Sequence, residues 1–257
     1  MKTETNDFQS ARQQPLPGPP RFGRDAKDAL FLDFDGTLVD IAPHPDAIEV
    51  AASLPGLLED LTGALEGRLA IVSGRSLADL ERHLGRLDIA MAGSHGGEFR
   101  PAGTSEVQSL ADPLPGNIVA ALEAISERHG GLLVEPKPFS AAIHFRDRPQ
   151  AEADVLARTQ DLADRSGLKL TKGKMVAELA MPGSDKGSAV ARFMDTPVFS
   201  GSQPVFVGDD ITDEDAFKTV LDFEGGGVLV GPERKTAARW RLPGVAHVHD
   251  WLKAILQ

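Results

Sequence analysis

Short apolar segments alternate with helical patterns along most of this chain, and this alternation restricts the possible folds more than any other feature. The segments "ALFLDF" (29–34) and "PVFVGDD" (204–210) are nearly continuous in their apolar character until they reach aspartates. Between such segments lie stretches with apolar residues three and four positions apart, as in "SLADLERHLG" (76–85). Continuous apolar strands that alternate with helices are typical of a parallel sheet covered on both faces. The sequence therefore predicts an α/β fold on a mainly parallel sheet.

A different pattern occupies residues 109–183. "NIVAALEAISERHG" (117–130) has the apolar spacing of a helix, whereas "SAAIHFR" (140–146) and "KMVAELA" (174–180) alternate with a period of two. Such alternation is typical of antiparallel strands that bury one face. We therefore expect an α+β insertion at 109–183, which divides the core into residues 27–108 and 184–257.

Composition excludes several classes of function. The 257 residues carry a net charge of −11, and no stripe of Lys and Arg is present, which argues against nucleic-acid binding. The absence of cysteine excludes disulfides, thiolate metal sites and thiol catalysis, and it fits a reducing compartment. We see no signal peptide and no apolar run of membrane-spanning length, so we expect a cytoplasmic protein without a membrane partner.

The first 26 residues are polar and rich in proline and glycine. Such composition is typical of chains that do not pack, so we expect a disordered tail over 1–26. On this interpretation, deletion of residues 1–20 changes neither stability nor activity.

Polar clusters follow several of the apolar strands. Asp33 and Asp35 come first, "VSGR" (72–75) and "GSHGG" (93–97) follow, and "GDDITDED" (208–215) comes near the end. Ligands of open α/β sheets bind beyond the carboxyl ends of the strands, so these clusters should meet at one edge. Acids from two strands are the oxygen ligands that a hard cation prefers. Donors for an anion would come from Ser73, Arg75 and Lys186.

Each cluster taken alone has a simpler explanation. Asp-Gly is a common turn pair, and acids suit a helix N-terminus. Ser73 could cap a helix, and Lys186 could lie on the surface. The combination is what favours a site for a phosphate and a metal ion.

The segments "DFDGTL" (33–38), "VSGR", the lysine of "SDKGSA" and "GDDITDED" resemble, in order, the four motifs of the haloacid dehalogenase-like phosphatases. The insertion lies between the second and third motifs, where members with a C2-type cap carry it. "GSHGGEFR", "VEPKPFSAAIHFR" and "KMVAELAMPGSDKGSA" are similar to the trehalose-6-phosphate phosphatase family. The resemblance covers the chain after the tail and implies a Rossmann-like core with an inserted α+β cap.

The resemblance also implies roles for the site residues. Asp33 would be the nucleophile and form an aspartyl-phosphate, and Asp35 would protonate the leaving sugar oxygen and then activate water. Mg²⁺ would be held by Asp33, the backbone carbonyl of Asp35 and Asp209, with Asp213 supporting it from behind. Ser73 and Lys186 would hold phosphate oxygens. A carboxylate approaches an anionic phosphate only where charge is neutralised, so this set of residues is also physically consistent.

The alternation of side chains along the predicted strands and the family resemblance together select the residues that would contact the substrate. Lys174 and Glu178 share one face of their strand, Arg146 lies on the polar face of another, and Glu135 and Lys137 repeat the spacing upstream. The alternative is a polar sheet face that only meets solvent. Val176 stands where relatives often have a polar residue. The complete predicted set is Arg75, His95, Gly96, Glu135, Lys137, Arg146, Lys174 and Glu178.

The leading hypothesis is a Mg²⁺-dependent phosphatase that releases trehalose from trehalose 6-phosphate. The alternatives are another sugar-phosphate phosphatase, such as one acting on sucrose phosphate, and a phosphosugar-binding regulator without turnover. A phosphomutase is disfavoured because the closer motif match is to a hydrolase. We expect a monomer whose partner is a small sugar phosphate, with any trehalose-phosphate synthase on a separate chain.

Overall fold

The computed structural model describes residues 15–22, 27–42, 47–173 and 175–257. These residues form two β-sheets covered by helices. The strands are β1 (Asp28–Leu32), β2 (Leu69–Val72), β3 (Ala90–Gly93), β4 (Glu98–Arg100), β5 (Gln108–Ser109), β6 (Leu133–Pro136), β7 (Ser140–His144), β8 (Lys169–Gly173), β9 (Val176–Ala180), β10 (Gln203–Gly208), β11 (Gly226–Val230) and β12 (Trp240–Leu242). The helices are α1 (Leu54–Ala64), α2 (Leu77–Leu84), α3 (Gly116–Arg128), α4 (Glu152–Ser166), α5 (Lys186–Met194), α6 (Glu214–Asp222) and α7 (Val245–Ile255).

The larger sheet, here called the core sheet, has the order β12-β11-β10-β1-β2-β3-β4-β5 in the described residues. Pairing is parallel from β12 to β3 and antiparallel for β4 and β5. In β1, Leu30 and Leu32 pack on the face covered by α1, α2 and α7. Ala29 and Phe31 pack on the opposite face, against α5 and α6. Burial on both faces explains the continuous apolar strands, and the predicted α/β fold is confirmed.

The smaller sheet, here called the cap sheet, is antiparallel with the order β6-β7-β9-β8. Ala141 and Ile143 of β7 and Leu179 of β9 are fully buried beneath α3 and α4. The opposite face carries Glu135 beside Ala142, and Ala142 beside Glu178. The register therefore gives the apolar and polar faces that strand parity predicts.

We propose that residues 109–183 are a cap inserted into a core of residues 27–108 and 184–257. The two sheets and their separate apolar clusters support this division. Ser109, at the first position of the insertion, still pairs with β4 in the core sheet. Over the described ranges, no helix combines the length and apolar character needed to cross a membrane.

The predicted disordered tail is wrong for residues 15–22, which pack on the edge of the core sheet. The carbonyl of Pro17 accepts a hydrogen bond from the Arg241 N–H at 2.9 Å. The Trp251 indole N–H donates to the Pro20 carbonyl at 3.0 Å, and the Phe22 ring meets the Trp251 ring edge-on. Composition does not predict this packing, because it depends on only two backbone carbonyls and one aromatic ring. Residues 1–14 and 23–26 lie outside the described residues.

Deletion of residues 1–22 is expected to destabilise the protein, contrary to the expectation from composition. The loss of one aromatic contact and two hydrogen bonds should lower the free energy of unfolding by about 1–3 kcal/mol. The melting temperature should then fall by roughly 2–4 °C per kcal/mol. Thermal unfolding measures this, with deletion of residues 1–14 as the control that keeps the contacts. Equal melting temperatures for the two deletions would contradict the docking.

Candidate active site

Three carboxylates and one lysine meet at the carboxyl ends of β1 and β10. The two strands are neighbours, and the Asp33 N–H continues their pairing by donating to the Val207 carbonyl at 2.9 Å. The carboxylates of Asp33, Asp209 and Asp213 offer oxygens that all lie within 4.8 Å of one another. Lys186 Nζ, from the first turn of α5, lies 2.8 Å from Asp33 Oδ1 and 2.6 Å from Asp213 Oδ1.

One lysine does not balance the charge of three carboxylates, of which Asp33 and Asp213 are buried and Asp209 is partly buried. Burial raises the pKa of Asp33 well above its ordinary value, and this outweighs the opposing effect of Lys186. Burial and then Asp213 raise the pKa of Asp209 to about 7. Burial alone would lower the pKa of Lys186, but Asp213 and Asp33 raise it, so the ammonium stays charged. The cluster therefore contains more carboxylates than positively charged groups.

This donor set fits a divalent cation. Among the described residues, the buried Asp209 Oδ1 has no hydrogen-bond partner, although a buried polar atom usually has one. The cluster offers only carboxylate oxygens, which hard divalent cations prefer. Gly36, with φ of +73°, lets Asp209 approach closely, because a Cβ there would lie 2.2 Å from Asp209 Oδ2.

Asp35 points to a different partner from Asp33. Its two carboxylate oxygens accept hydrogen bonds from Arg75 Nε at 2.7 Å and Nη2 at 2.8 Å. Arg75 Nη1 also donates to Asp79 at 2.6 Å. Phe34, between the two aspartates, is fully buried in the apolar cluster covered by α1, α2 and α7. Arg75, which the sequence assigns to the substrate, therefore holds the Asp35 carboxylate in this structure.

Two predicted residues lie behind the site. Ser73 is fully buried, and its Oγ accepts a hydrogen bond from the Arg75 N–H at 3.1 Å. Gly96 is buried with φ of +104°, and a Cβ there would lie 2.4 Å from the Asp185 carbonyl oxygen. Gly96 therefore permits close packing next to the start of α5.

A cleft of about 700 Å³ separates the acidic cluster from the cap sheet. Eight of the predicted site residues line this cleft. Three polar residues that were not predicted as site residues also line it, namely Asp79, Asp210 and Thr212. The eight are Asp33, Asp35, Arg75, His95, Glu135, Lys137, Lys186 and Asp209. Apolar residues on one rim also escaped prediction, namely Ile41, Ala42 and Ile48. Asp210 and Thr212 stand inside the fourth motif, which was the available signal.

The polar side chains of the cap form a connected network. Glu178 Oε1 accepts from Ser140 Oγ at 2.7 Å and from Lys137 Nζ at 3.2 Å. His144 Nε2 lies 3.0 Å from Glu135 Oε2. Burial alone would raise the pKa of Glu178, but the pKa lies below its ordinary value, mainly because the Lys137 ammonium is close. Glu178 is therefore ionised, and it lines a cavity of about 50 Å³ shared with His95 and Lys186.

His95 lies between the cluster and the cap network. Burial lowers the pKa of its ring to about 4, so the imidazole is neutral at physiological pH. It lines the large cleft and two smaller cavities, of about 50 Å³ and about 210 Å³.

Among the described residues, the predicted substrate residues that do not line the cleft are Gly96, Arg146 and Glu178. Arg146 is exposed beyond the end of β7 and lines neither the cleft nor the smaller cavities of about 50, 210 and 380 Å³. Lys174 lies outside the described residues. Val176 lines a further cavity of about 380 Å³ with Glu178 and Ile211.

The fold is that of the haloacid dehalogenase-like hydrolases. Such a hydrolase from Bacteroides thetaiotaomicron superposes with a TM-score of 0.65 at 16% identity, over 89% of this chain and 99% of that one. The C-terminal domain of Candida albicans trehalose-6-phosphate phosphatase gives a TM-score of 0.76 at 23% identity, over 94% and 98% of the two chains.

Sequence comparison identifies the family. The sequence model of the trehalose-phosphatase family matches residues 31–246. The trehalose-6-phosphate phosphatase of Escherichia coli (strain K12) is 36% identical over 244 residues, which is 94% of this chain and 91% of that protein. The chain belongs to the trehalose-phosphatase family. This confirms the resemblance seen in the sequence, and a phosphatase of this fold implies a divalent metal, which the acidic cluster fits.

Proposed function

We propose that this protein is a Mg²⁺-dependent phosphatase that hydrolyses trehalose 6-phosphate to trehalose and phosphate through a phosphorylated Asp33. One observation carries the proposal: the cluster of Asp33, Asp209 and Lys186 faces the polar side chains of the cap sheet across a single cleft. The cluster suits a phosphate group, and carboxylates with cations suit the hydroxyl groups of a sugar, since hydroxyls both donate and accept.

In the first step, an Asp33 carboxylate oxygen attacks phosphorus, and the bond to the sugar oxygen breaks. Asp35 would give its proton to the leaving oxygen, so that the sugar departs as a neutral alcohol. For this step Asp35 has to be protonated and to exchange at least one of its two hydrogen bonds with Arg75 for the leaving oxygen. In the second step, Asp35 takes a proton from water, which attacks the phosphorylated Asp33 and releases phosphate.

Lys186 balances charge in both steps. Its ammonium contacts Asp33 and would also contact a phosphate oxygen placed beside that carboxylate. Ser73 accepts a hydrogen bond from the Arg75 N–H behind the site, and its contact with a phosphate oxygen stays a prediction.

The metal would be held by Asp33, the carbonyl of Asp35 and Asp209, with Asp213 behind them. When bound, Mg²⁺ supplies the positive charge that lets a carboxylate approach an anionic phosphate. The oxygen-only donor set and the unpartnered Asp209 Oδ1 support this assignment.

Sugar recognition falls to the cap in this proposal. Glu135, Lys137 and Glu178 are the residues that the cleft and its small neighbour favour, and His95 provides a neutral wall below them. Arg146 and Lys174 stay predictions. The monomeric state, a cytoplasmic location and a synthase on a separate chain also stay predictions.

A phosphate-release screen tests the proposal. Purified protein with Mg²⁺ is expected to release phosphate from trehalose 6-phosphate far faster than from glucose 6-phosphate or sucrose 6-phosphate. Preference for sucrose 6-phosphate would assign a different sugar to the same chemistry. Tight binding without phosphate release would support the regulator instead.

Replacement of Glu178 by alanine is expected to separate sugar recognition from chemistry. The loss of kcat/KM for trehalose 6-phosphate should be roughly 2–4 kcal/mol, the scale of polar groups left unpaired in a closed site. The loss for p-nitrophenyl phosphate, which does not reach the cap, should be much smaller. Steady-state kinetics with both substrates measures the difference.

Glu127→Ala, at an exposed position of α3, is the matched control and should leave both substrates unaffected. Equal losses for both substrates in Glu178→Ala would show that Glu178 supports the fold or the core site. No loss for either would show that the polar cap face meets only solvent.

A further inference from the structure

Lys169 joins the cap sheet to the core by two ion pairs. It is the first residue of β8, and its Nζ lies 2.6 Å from Asp215 Oδ2 and 3.1 Å from Asp185 Oδ2. Both acids belong to the helices under the core sheet rather than to the cap. The ammonium therefore bridges the two parts of the molecule that form the cleft.

The two acids stand at the starts of α5 and α6, beside two members of the catalytic cluster, Lys186 and Asp213. Asp185 caps α5, accepting a hydrogen bond from the Ser188 N–H at 2.8 Å, and the next residue is Lys186. Asp215 lies in the first turn of α6, two residues after Asp213. The two helix starts are in close contact, because a Cβ at Gly187 would lie 2.8 Å from the Asp215 carbonyl oxygen.

On the cap side, Lys169 lies in the strand that pairs with the strand of Glu178. Thr171, two residues along β8 from Lys169, is the register partner of Glu178 in β9. Lys169, Thr171 and Glu178 line the same small cavity. Any shift of β8 against the helices would therefore move Glu178 relative to Lys186.

The bridge is half-buried and charged. The Lys169 side chain is 38% exposed, and Asp215 is 36% exposed. Burial alone would lower the pKa of Lys169, but Asp215 and Asp185 raise it above its ordinary value. The pairs are thus less screened by water than pairs on an open surface.

We propose that Lys169 is a positioning residue, which holds the cap sheet over the catalytic cluster through Asp215 and Asp185. The inference rests on the proposed function, because it assigns to Lys169 the alignment of the sugar-binding face with the phosphate site. Lys169 acts through its acidic partners and makes no contact with substrate.

A double-mutant cycle with Lys169→Gln and Asp215→Asn tests the bridge. Each partly exposed ion pair contributes up to about fivefold in an equilibrium. Asp215→Asn, which removes one pair, should therefore lower kcat/KM for trehalose 6-phosphate by about twofold to fivefold, and Lys169→Gln, which removes both, by about fivefold to twentyfold. Most of the loss should appear in KM. Turnover of p-nitrophenyl phosphate should change by less than about twofold, since that substrate does not use the cap. The double variant should lose no more than Lys169→Gln alone, because that variant already removes the ion pair with Asp215.

Lys218→Gln and Asp222→Asn are matched controls, since they make the same charge changes at exposed positions of α6. Normal kinetics in Asp215→Asn with a loss in Lys169→Gln would mean that Lys169 binds substrate itself, and the proposal would be wrong. Equal losses for both substrates would also overturn it, because they would place the effect in the core.

A distance measurement tests the same bridge without relying on trehalose 6-phosphate. The chain has no cysteine, so spin labels attach only at the engineered sites Ala64→Cys on α1 and Ala124→Cys on α3, both exposed. Lys169→Gln and Asp215→Asn should each broaden the distance distribution between core and cap in the absence of substrate, whereas Lys218→Gln should not. An unchanged distribution in both variants would refute the bridge. If the variants broaden the distance distribution as expected but the parent protein does not hydrolyse trehalose 6-phosphate, the bridge stands and only the proposed function is refuted.

Discussion

Replacement of Asp33 by asparagine is expected to lower phosphate release from trehalose 6-phosphate by about 10⁴-fold or more. The amide matches the carboxylate in shape but is a poor nucleophile towards phosphorus. Lys186 keeps its contact with Asp213, so the helix that carries it should stay in place. Phosphate release at saturating Mg²⁺ measures the loss.

The same variant should be at least as stable as the parent protein. Burial raises the folded-state pKa of Asp33 above its ordinary value of 3.8, so this residue contributes less stability as the pH rises above that value. Asparagine removes this penalty, and in EDTA the advantage of Asp33→Asn should grow from pH 5 to pH 8. Asp40→Asn, at an exposed position, should change neither activity nor stability. A folded Asp33→Asn protein with substantial turnover would falsify the phosphorylated-aspartate mechanism.

Removal of divalent metal with EDTA is expected to stop turnover, and Mg²⁺ is expected to restore it. Without metal, the cluster of three carboxylates repels an approaching phosphate. Ca²⁺ should bind but support little turnover, because its larger and more flexible coordination misplaces nucleophile and phosphate. Full activity in metal-free buffer would contradict the proposed site.

Metal binding should also show a characteristic pH dependence. The pKa of Asp209 is raised from 3.8 to about 7 by burial and Asp213, so the metal-free protein should lose stability as the pH rises from about 4 to about 7. A metal binds the ionised carboxylate, so the rise in melting temperature caused by Mg²⁺ should be larger at pH 8 than at pH 6. Asp209→Asn should reduce both the metal-free loss and the Mg²⁺ effect. A Mg²⁺ effect independent of pH in the parent protein would rule out this role for Asp209.

Local patterns were sufficient for most of the sheet and for the position of the acids. Strand β1 is continuous in apolar residues because both of its faces are buried, and that is visible in one short segment. The alternation in β7 and β9 likewise predicted which side chains face the helices. The final strand and helix, β12 and α7, were not predicted, because a three-residue strand and a helix with two histidines give weak periodicity.

The sequence by itself determined the α/β alternation, the inserted antiparallel sheet and the acids that follow the apolar strands, because each depends on neighbours along the chain. Only the tertiary structure decided that Arg75 binds Asp35, 40 residues away, and that Lys169 meets Asp215, 46 residues away. It also decided that Pro17 and Phe22 dock on the far end of the core sheet. A side chain's spacing reports whether it is buried, but its partners depend on how distant segments pack. The identity of a charged residue is therefore readable in the sequence, whereas its choice of partner is not.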